Sequence, residues 1–295
     1  RIGSSAASDV YKRQVVAQNA MKYTSLICLS LLSLAPLTWS SEETIKPYRY
    51  ADLLVNEETV LPEPMDTTGL SQKVSDTLQS YYSKSLGGPK NWQKIKSLRI
   101  RGQLIYTNGK SYKFAIFRKK PDLNKAVVYL DNKCKIVTCF DGVEAWQVMT
   151  SESETAKTMP LDDSIDFIRD SWLGGHLLSP LLPGKTTEIL EAINIDGKTC
   201  IQVKVTLPNQ QYYLYALDSN RYPVAEESVS AVDGSKRYVK QSDFRNVSGL
   251  MIPFRSKVYS DGVLIQEAVL ESVVVNKGVM PWMFKRPQQR TMLLN

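Results

Sequence analysis

Histidine is almost missing from this chain: His176 is the only one in 295 residues. Acid–base and nucleophilic catalysis recruit imidazole more than other side chains, and His176 has no acidic neighbour in sequence after Asp170. There is no G-x-S-x-G elbow, no H-E-x-x-H pair and no glycine-rich phosphate loop, so the common hydrolase, zinc-protease and nucleotide-binding signatures are excluded. The four cysteines include no C-x-x-C pair and no His/Cys cluster. Neither a metal nor a cofactor is expected, and no catalytic residue is assigned. Charge of one sign is not concentrated anywhere. Residues 1–41 hold four Lys/Arg and one Asp, which leaves 33 basic and 29 acidic residues after them and a net charge of +4. That excess is diffuse, without a basic stripe interleaved with aromatics, and excludes nucleic acid as a partner.

Long apolar runs are lacking too. The run LICLSLLSLAPL at 26–37 falls well short of the roughly 20 residues a membrane span needs. Lys22 precedes it and Thr38-Trp39-Ser40 follow, so residues 21–41 read as a secretory signal peptide cut near Ser40 or Ser41. Ile27 precedes Cys28 where a small residue would be needed for lipid attachment, so the mature chain is not expected to be a lipoprotein. Residues 1–20 read as a non-native translated leader, and 42–66, polar and with three prolines, as a flexible N-terminal segment. Of the mature cysteines, Cys134 and Cys139 differ by an odd number, so on one strand they face opposite sides. One bond to Cys200 is possible, with a thiol left over.

From residue 67 to 295 the pattern is that of one folded domain, its first helix marked by Leu70, Val74, Leu78 and Tyr81 or Tyr82, with Ser71 as cap and Gly87-Gly88 as stop. A short second helix is expected over 91–96. From Ser97 the period becomes two. In SLRIRGQLIYT, Leu98, Ile100, Leu104 and Tyr106 share a face, and after Asn108-Gly109 so do Tyr112, Phe114 and Ile116. Turn pairs recur at Asp141-Gly142, Asp196-Gly197, Asp233-Gly234 and Asp261-Gly262. The fold class is therefore mainly β: a single antiparallel sheet of about ten or eleven strands. Accumulated twist makes such a sheet curl, and its inner face must be filled.

The filler is the segment WLGGHLLSPLLPG (172–184). Residues 160–183 break the alternation with a helical pattern at Ile165, Ile168 and Trp172, then at Leu177, Leu178, Leu181 and Leu182, and Gly174, Gly175, Pro180 and Pro183 interrupt it. An apolar helical insertion in a β domain reads as a plug or lid. His176 within it reads as a polar tip and a bystander.

YSKSLGGPKNWQKIKSLRIRGQL, FRKKPDLNKAVV, CFDGVEAWQV, DGKTCIQVKV, YLYALDSNRYPV, DFRNVSGLMIPF and the closing MFKRP occur in this order, and over about residues 70–287 they resemble the LolA-like periplasmic family of outer-membrane lipoprotein carriers and sorting proteins. The resemblance implies a half-open antiparallel β-barrel, helices covering the concave face, a periplasmic location in a Gram-negative envelope, and acyl chains bound in the cavity. The basic-Pro element of the carriers corresponds to Lys120-Pro121, with Lys in place of Arg.

Together these readings predict an exported, non-catalytic, monomeric carrier of lipid or lipoprotein acyl chains, with inner- or outer-membrane sorting proteins as further partners. Ile100, Leu104, Tyr112, Phe114, Ile116 and Trp146 form the expected cavity wall. Trp172, Leu177, Leu178, Leu181 and Leu182 form the lid, and Lys120 lies near a head group. The alternatives are an envelope interaction protein with a filled core, or a hydrolase using Asp141 with Glu144.

Overall fold

A computed structural model describes residues 69–132, 134–150, 155–178, 184–208, 210–229 and 234–287. The leader, signal and N-terminal segments lie outside the described residues, as do Leu181 and Leu182.

Helix α1 (Gln72–Leu86) follows Ser71, and its apolar stripe of Val74, Leu78, Tyr81, Tyr82 and Leu86 is buried. It ends where Gly87 takes a left-handed φ of 74°, a conformation that costs glycine nothing. Helix α2 (Gly88–Lys94) follows, with Pro89 in its first turn and Trp92 buried. The chain then runs through β1 (Ser97–Tyr106), β2 (Ser111–Lys119), β3 (Leu123–Tyr129), β4 (Lys135–Phe140), β5 (Ala145–Met149) and β6 (Lys157–Thr158). Helices α3 (Leu161–Arg169) and α4 (Gly175–Leu178) interrupt the strands. After them come β7 (Thr186–Ile189), β8 (Ile193–Ile195), β9 (Lys198–Thr206), β10 (Tyr212–Leu217), β11 (Pro223–Val229), β12 (Lys236–Val247), β13 (Leu250–Ser260) and β14 (Val263–Val275).

The order across the sheet is β6-β5-β4-β3-β2-β1-β14-β13-β12-β11-β10-β9-β7, with β8 paired to β9. The chain therefore starts in the middle, walks to one edge, crosses through α3 and α4, and returns from the other edge to close β14 against β1. The sheet has two free ends and is not a closed barrel. Among the described residues fourteen strands replace the ten or eleven expected, because β6, β7 and β8 are two to four residues long and too short to show alternation.

One face of this sheet carries the helices. Leu98, Ile100, Leu104, Phe114, Ile116 and Val128 pack there with the α1 stripe, with Trp172, Leu173 and Leu177, and with Val203, Val205 and Tyr213 from the far side of the sheet. The opposite face carries a second cluster, in which a 3-10 turn (Pro281–Phe284) covers Val127, Val137, Cys139, Trp146 and Val148. Among the described residues, no helix is long and apolar enough to cross a membrane. Cys134, Cys139 and Cys200 are free thiols; the bond allowed by spacing is not formed, since Cys139 and Cys200 are buried in separate clusters.

Candidate functional site

The site is built where the crossover segment passes under the sheet. Helix α3 ends as the Ser171 hydroxyl donates to the Phe167 carbonyl at 2.7 Å. The backbone that follows is fastened to the β2–β3 corner. Arg118 Nη2 donates to the Asp170 carbonyl at 2.8 Å, Arg118 Nη1 to the Trp172 carbonyl at 3.5 Å, and the Leu173 N–H to the Pro121 carbonyl at 3.3 Å. Gly175, with φ 62°, then turns the chain into α4.

The Asp170 carboxylate collects the donors around it. Its Oδ1 accepts from Tyr213 Oη at 2.6 Å, Arg169 Nε at 2.9 Å and His176 Nε2 at 3.1 Å, and its Oδ2 from Arg169 Nη2 at 3.2 Å. Arg169 Nη1 reaches Gln211 Oε1 at 2.8 Å, and the His176 ring stacks on Tyr213 with centroids 4.1 Å apart. Asp170, Arg169, His176 and Tyr213 are all buried. Burial alone would push the Asp170 carboxyl up. The Arg169 charge and the hydrogen bonds from His176 and Arg169 reverse this and hold it well below the usual carboxylate range. Burial lowers His176 against the pull of Asp170, so the ring is neutral at pH 7 and donates through Nε2. Lys185 donates to the His176 carbonyl at 3.0 Å, and burial brings its ammonium down to about 7.

A second buried polar group faces the same interior. The pairing Tyr215–Glu226–Val239–Val258–Gln266–Tyr106 runs straight across β10, β11, β12, β13, β14 and β1, so Glu226 and Gln266 share the face of Val239 and Val258. Arg237 and Gln241, two residues either side of Val239, point the same way. Among the described residues, both Glu226 oxygens, all three Arg237 nitrogens, Gln241 Oε1 and the Gln266 amide make no hydrogen bond. Burial pushes Glu226 up to about 8 despite the Arg237 charge, and lowers Arg237 to about 10.

A pocket of about 30 Å³ lies between the helices and the crossover segment, lined by Tyr81, Leu86, Trp92, Leu173, Leu177 and Tyr215 among others. This holds about two waters and is an order of magnitude below a ligand-sized cavity.

The expected wall is only partly one surface. Ile100, Leu104, Phe114 and Ile116 belong to the main core, and half-buried Tyr112 packs against it. Trp146 does not join them. Register carries Trp146 through Cys139 and Lys125 to Phe117 and Arg99, the face opposite Ile116 and Ile100. There its indole Nε1 donates to the Phe284 carbonyl at 3.1 Å. Of the lid residues, Trp172 and Leu177 pack in the main core; the Leu178 side chain lies outside what is described. Lys120 Nζ donates to the Trp92 carbonyl at 2.8 Å and sits 4.1 Å from the Trp92 ring centre, which fixes its ammonium beside α2. Asp141 accepts from the Val143 and Glu144 N–H groups as a turn residue, and Glu144 pairs with Arg286; they form no carboxylate dyad. His176 is a buried partner of Asp170 and not the polar tip its sequence neighbours suggest.

The fold is LolA-like. It is similar to an outer-membrane lipoprotein-sorting protein domain from Vibrio parahaemolyticus, at 11% identity and a TM-score of 0.50, over 71% of this chain and 95% of that one. A DUF1329 family protein from Desulfovibrio piger matches at 10% identity and a TM-score of 0.50, over 73% of this chain and 98% of that one. A LolA superfamily protein from Nitrosomonas europaea matches at 13% identity and a TM-score of 0.47, over 72% and 97%. No protein-family model and no curated protein sequence matches the chain. Identities this low carry the LolA-like architecture and nothing finer.

Sequence reasoning missed Arg118, Asp170, Tyr213, Glu226 and Arg237. Arg237 had a local signal: in the β12 run KRYVKQS it shares, with Gln241, the phase of buried Val239. A charge in the inward phase of a strand marks a buried polar site.

Proposed function

We propose that this protein is an exported, non-catalytic binder of lipid or lipoprotein acyl chains in the periplasm, taking them beneath the 161–178 segment. The observation that carries the reading is the seam itself. The LolA-like sheet presents alkyl side chains to a crossover segment broken at Gly174-Gly175 and held to the β2–β3 corner by Arg118 and one backbone bond. Parting that seam would expose Ile100, Leu104, Phe114 and Ile116 against Trp172 and Leu177. Burying one methylene is worth about 0.8 kcal/mol, so a palmitoyl chain supplies on the order of 12 kcal/mol before ordering costs. Parting the seam costs the Arg118 contacts, the Asp170–Tyr213 tie and the packing of Trp172 and Leu177, which an acyl chain in their place would offset by restoring apolar burial. No side chain of the seam needs to do chemistry, and Lys120, beside α2, would stand near a head group.

The test is native mass spectrometry of the chain purified from a bacterial envelope. Co-purifying lipid that survives gentle activation supports the reading, and a lipid-free protein that also refuses added palmitoyl lipids sinks it. The burial of Ile100, Leu104, Phe114 and Ile116 in one packed cluster favours a second reading, an envelope interaction protein with a filled core. Deleting residues 42–66 would then abolish capture of a partner protein, while no lipid is found in either form.

A further inference from the structure

The interior is not uniformly greasy. Its β1–β3 side is alkyl, with Ile100, Leu104, Phe114, Ile116 and Val128. Its β11–β14 side carries Glu226, Arg237, Gln241 and Gln266, each at least nine-tenths buried. Unpaired buried groups of this kind are costly, the more so when charged. Here eight polar atoms from four side chains share one sheet face without a hydrogen bond among the described residues. They are balanced in kind. With Glu226 ionised, four are oxygens that accept (two of Glu226, one each of Gln241 and Gln266), and four are nitrogens that donate (three of Arg237, one of Gln266); a cationic ligand group would favour that ionised form over the protonated one. Glu226 and Arg237 lie on neighbouring strands, yet they form no ion pair. The carboxyl and the guanidinium thus stand out of hydrogen-bonding reach of each other on one face. Tyr215, the cross-strand partner of Glu226, also lines the pocket that opens at the crossover seam.

We infer that Glu226, Arg237, Gln241 and Gln266 form a subsite for a zwitterionic group, whose anionic oxygens take the Arg237 donors while its ammonium or amide hydrogens meet Glu226 and the glutamine carbonyls. The guanidinium fork suits a phosphate or carboxylate. An alkyl chain alone leaves all eight atoms unpaired. The inference rests on the acyl-binding reading and narrows it: the cargo is an amphiphile whose tail lies along β1–β3 and whose head enters beside β11–β14.

Three probes of matched chemistry separate the outcomes, by displacement of a fluorescent fatty-acid reporter and by native mass spectrometry. Palmitoyl lysophosphatidylethanolamine has tail and zwitterion, hexadecanol has the tail alone, and O-phosphoethanolamine has the zwitterion alone. The lysolipid is expected to bind about tenfold or more tighter than hexadecanol, the gain from charge-assisted hydrogen bonds. Arg237→Gln and, separately, the near-isosteric Glu226→Gln should each shrink that ratio towards one. Equal binding of lysolipid and hexadecanol to the wild-type chain overturns the subsite while leaving acyl binding intact, and this comparison needs no variant to fold. O-phosphoethanolamine binding as tightly as the lysolipid supports the zwitterion subsite but makes the ligand a free small molecule. Binding of none of the three overturns both this inference and the function it rests on.

Discussion

His176 Nε2 lies 3.1 Å from Asp170 Oδ1, with both side chains buried beneath the sheet. The two are only six residues apart, but what makes the pair matter is Tyr213, 43 residues away, which donates to the same oxygen. The crossover segment is thus tied to β10 through one carboxylate.

Removing the carboxylate should cost more than removing the ring. Asp170→Ala strips Arg169, His176 and Tyr213 of an acceptor and leaves a buried guanidinium without its ion pair, a loss of about 3–5 kcal/mol. His176→Ala removes one neutral donor from an acceptor that keeps two others, at about 1–3 kcal/mol. Urea unfolding of both variants measures the order. Equal losses would mean that Asp170 does not organise the cluster.

Stability should fall as pH rises through the neutral range, because of Glu226. Burial raises its pKa from 4.5 to about 8, so between those values the folded protein holds a proton that the unfolded chain has released. The stabilisation is full below the lower value and is lost as pH passes the upper one. Lys185 acts in the opposite sense: its folded pKa of about 7 lies below 10.5, so its contribution rises with pH across that window. Asp170, held low, adds stability above 3.8 that is lost in acid. Glu226→Gln should therefore flatten the decline between about pH 4.5 and 8, read as urea midpoint against pH. Parallel curves for variant and wild type would show that Glu226 titrates normally.

Gly102 sits where β1 slips register against β14, and opposite Phe114 in β2. A Cβ there would run into the Val269 carbonyl oxygen and approach the Phe114 ring at 2.8 Å. A backbone carbonyl cannot swing aside, so Gly102→Ala should cost about 1–3 kcal/mol or more through overpacking. Thermal unfolding checks this; an unchanged midpoint would mean that the two strands move apart freely.

Trp146 should matter to stability and not to cargo. Trp146→Ala removes the hydrogen bond to Phe284 and the side chain that the C-terminal turn covers, a loss of about 3–5 kcal/mol. The amount of lipid carried per folded chain should stay the same in native mass spectra. A folded variant that has lost its lipid would return Trp146 to the binding surface.

The meander and its helices were legible because their causes are local. Period-two alternation and Asn/Asp-Gly turns specify strands and hairpins within a dozen residues, and the stripe ending at Gly87 specifies α1. The candidate site was legible only in its apolar half. Ile100, Leu104, Phe114 and Ile116 follow from parity along two strands joined by one recognisable turn. Trp146 does not, since AWQVM has apolar residues in both phases and parity cannot choose between faces.

What the sequence determined by itself is the antiparallel β domain with a helical insertion, because backbone sterics and hydrophobic period act between near neighbours. What only the tertiary structure decided is the face on which each strand's residues lie and the company they keep there. Asp170 meets Tyr213, and Glu226 stands in line with Gln266 across four strands, because hydrogen-bond register accumulates from strand to strand. That sum is a property of the whole sheet, and no window of the chain contains it.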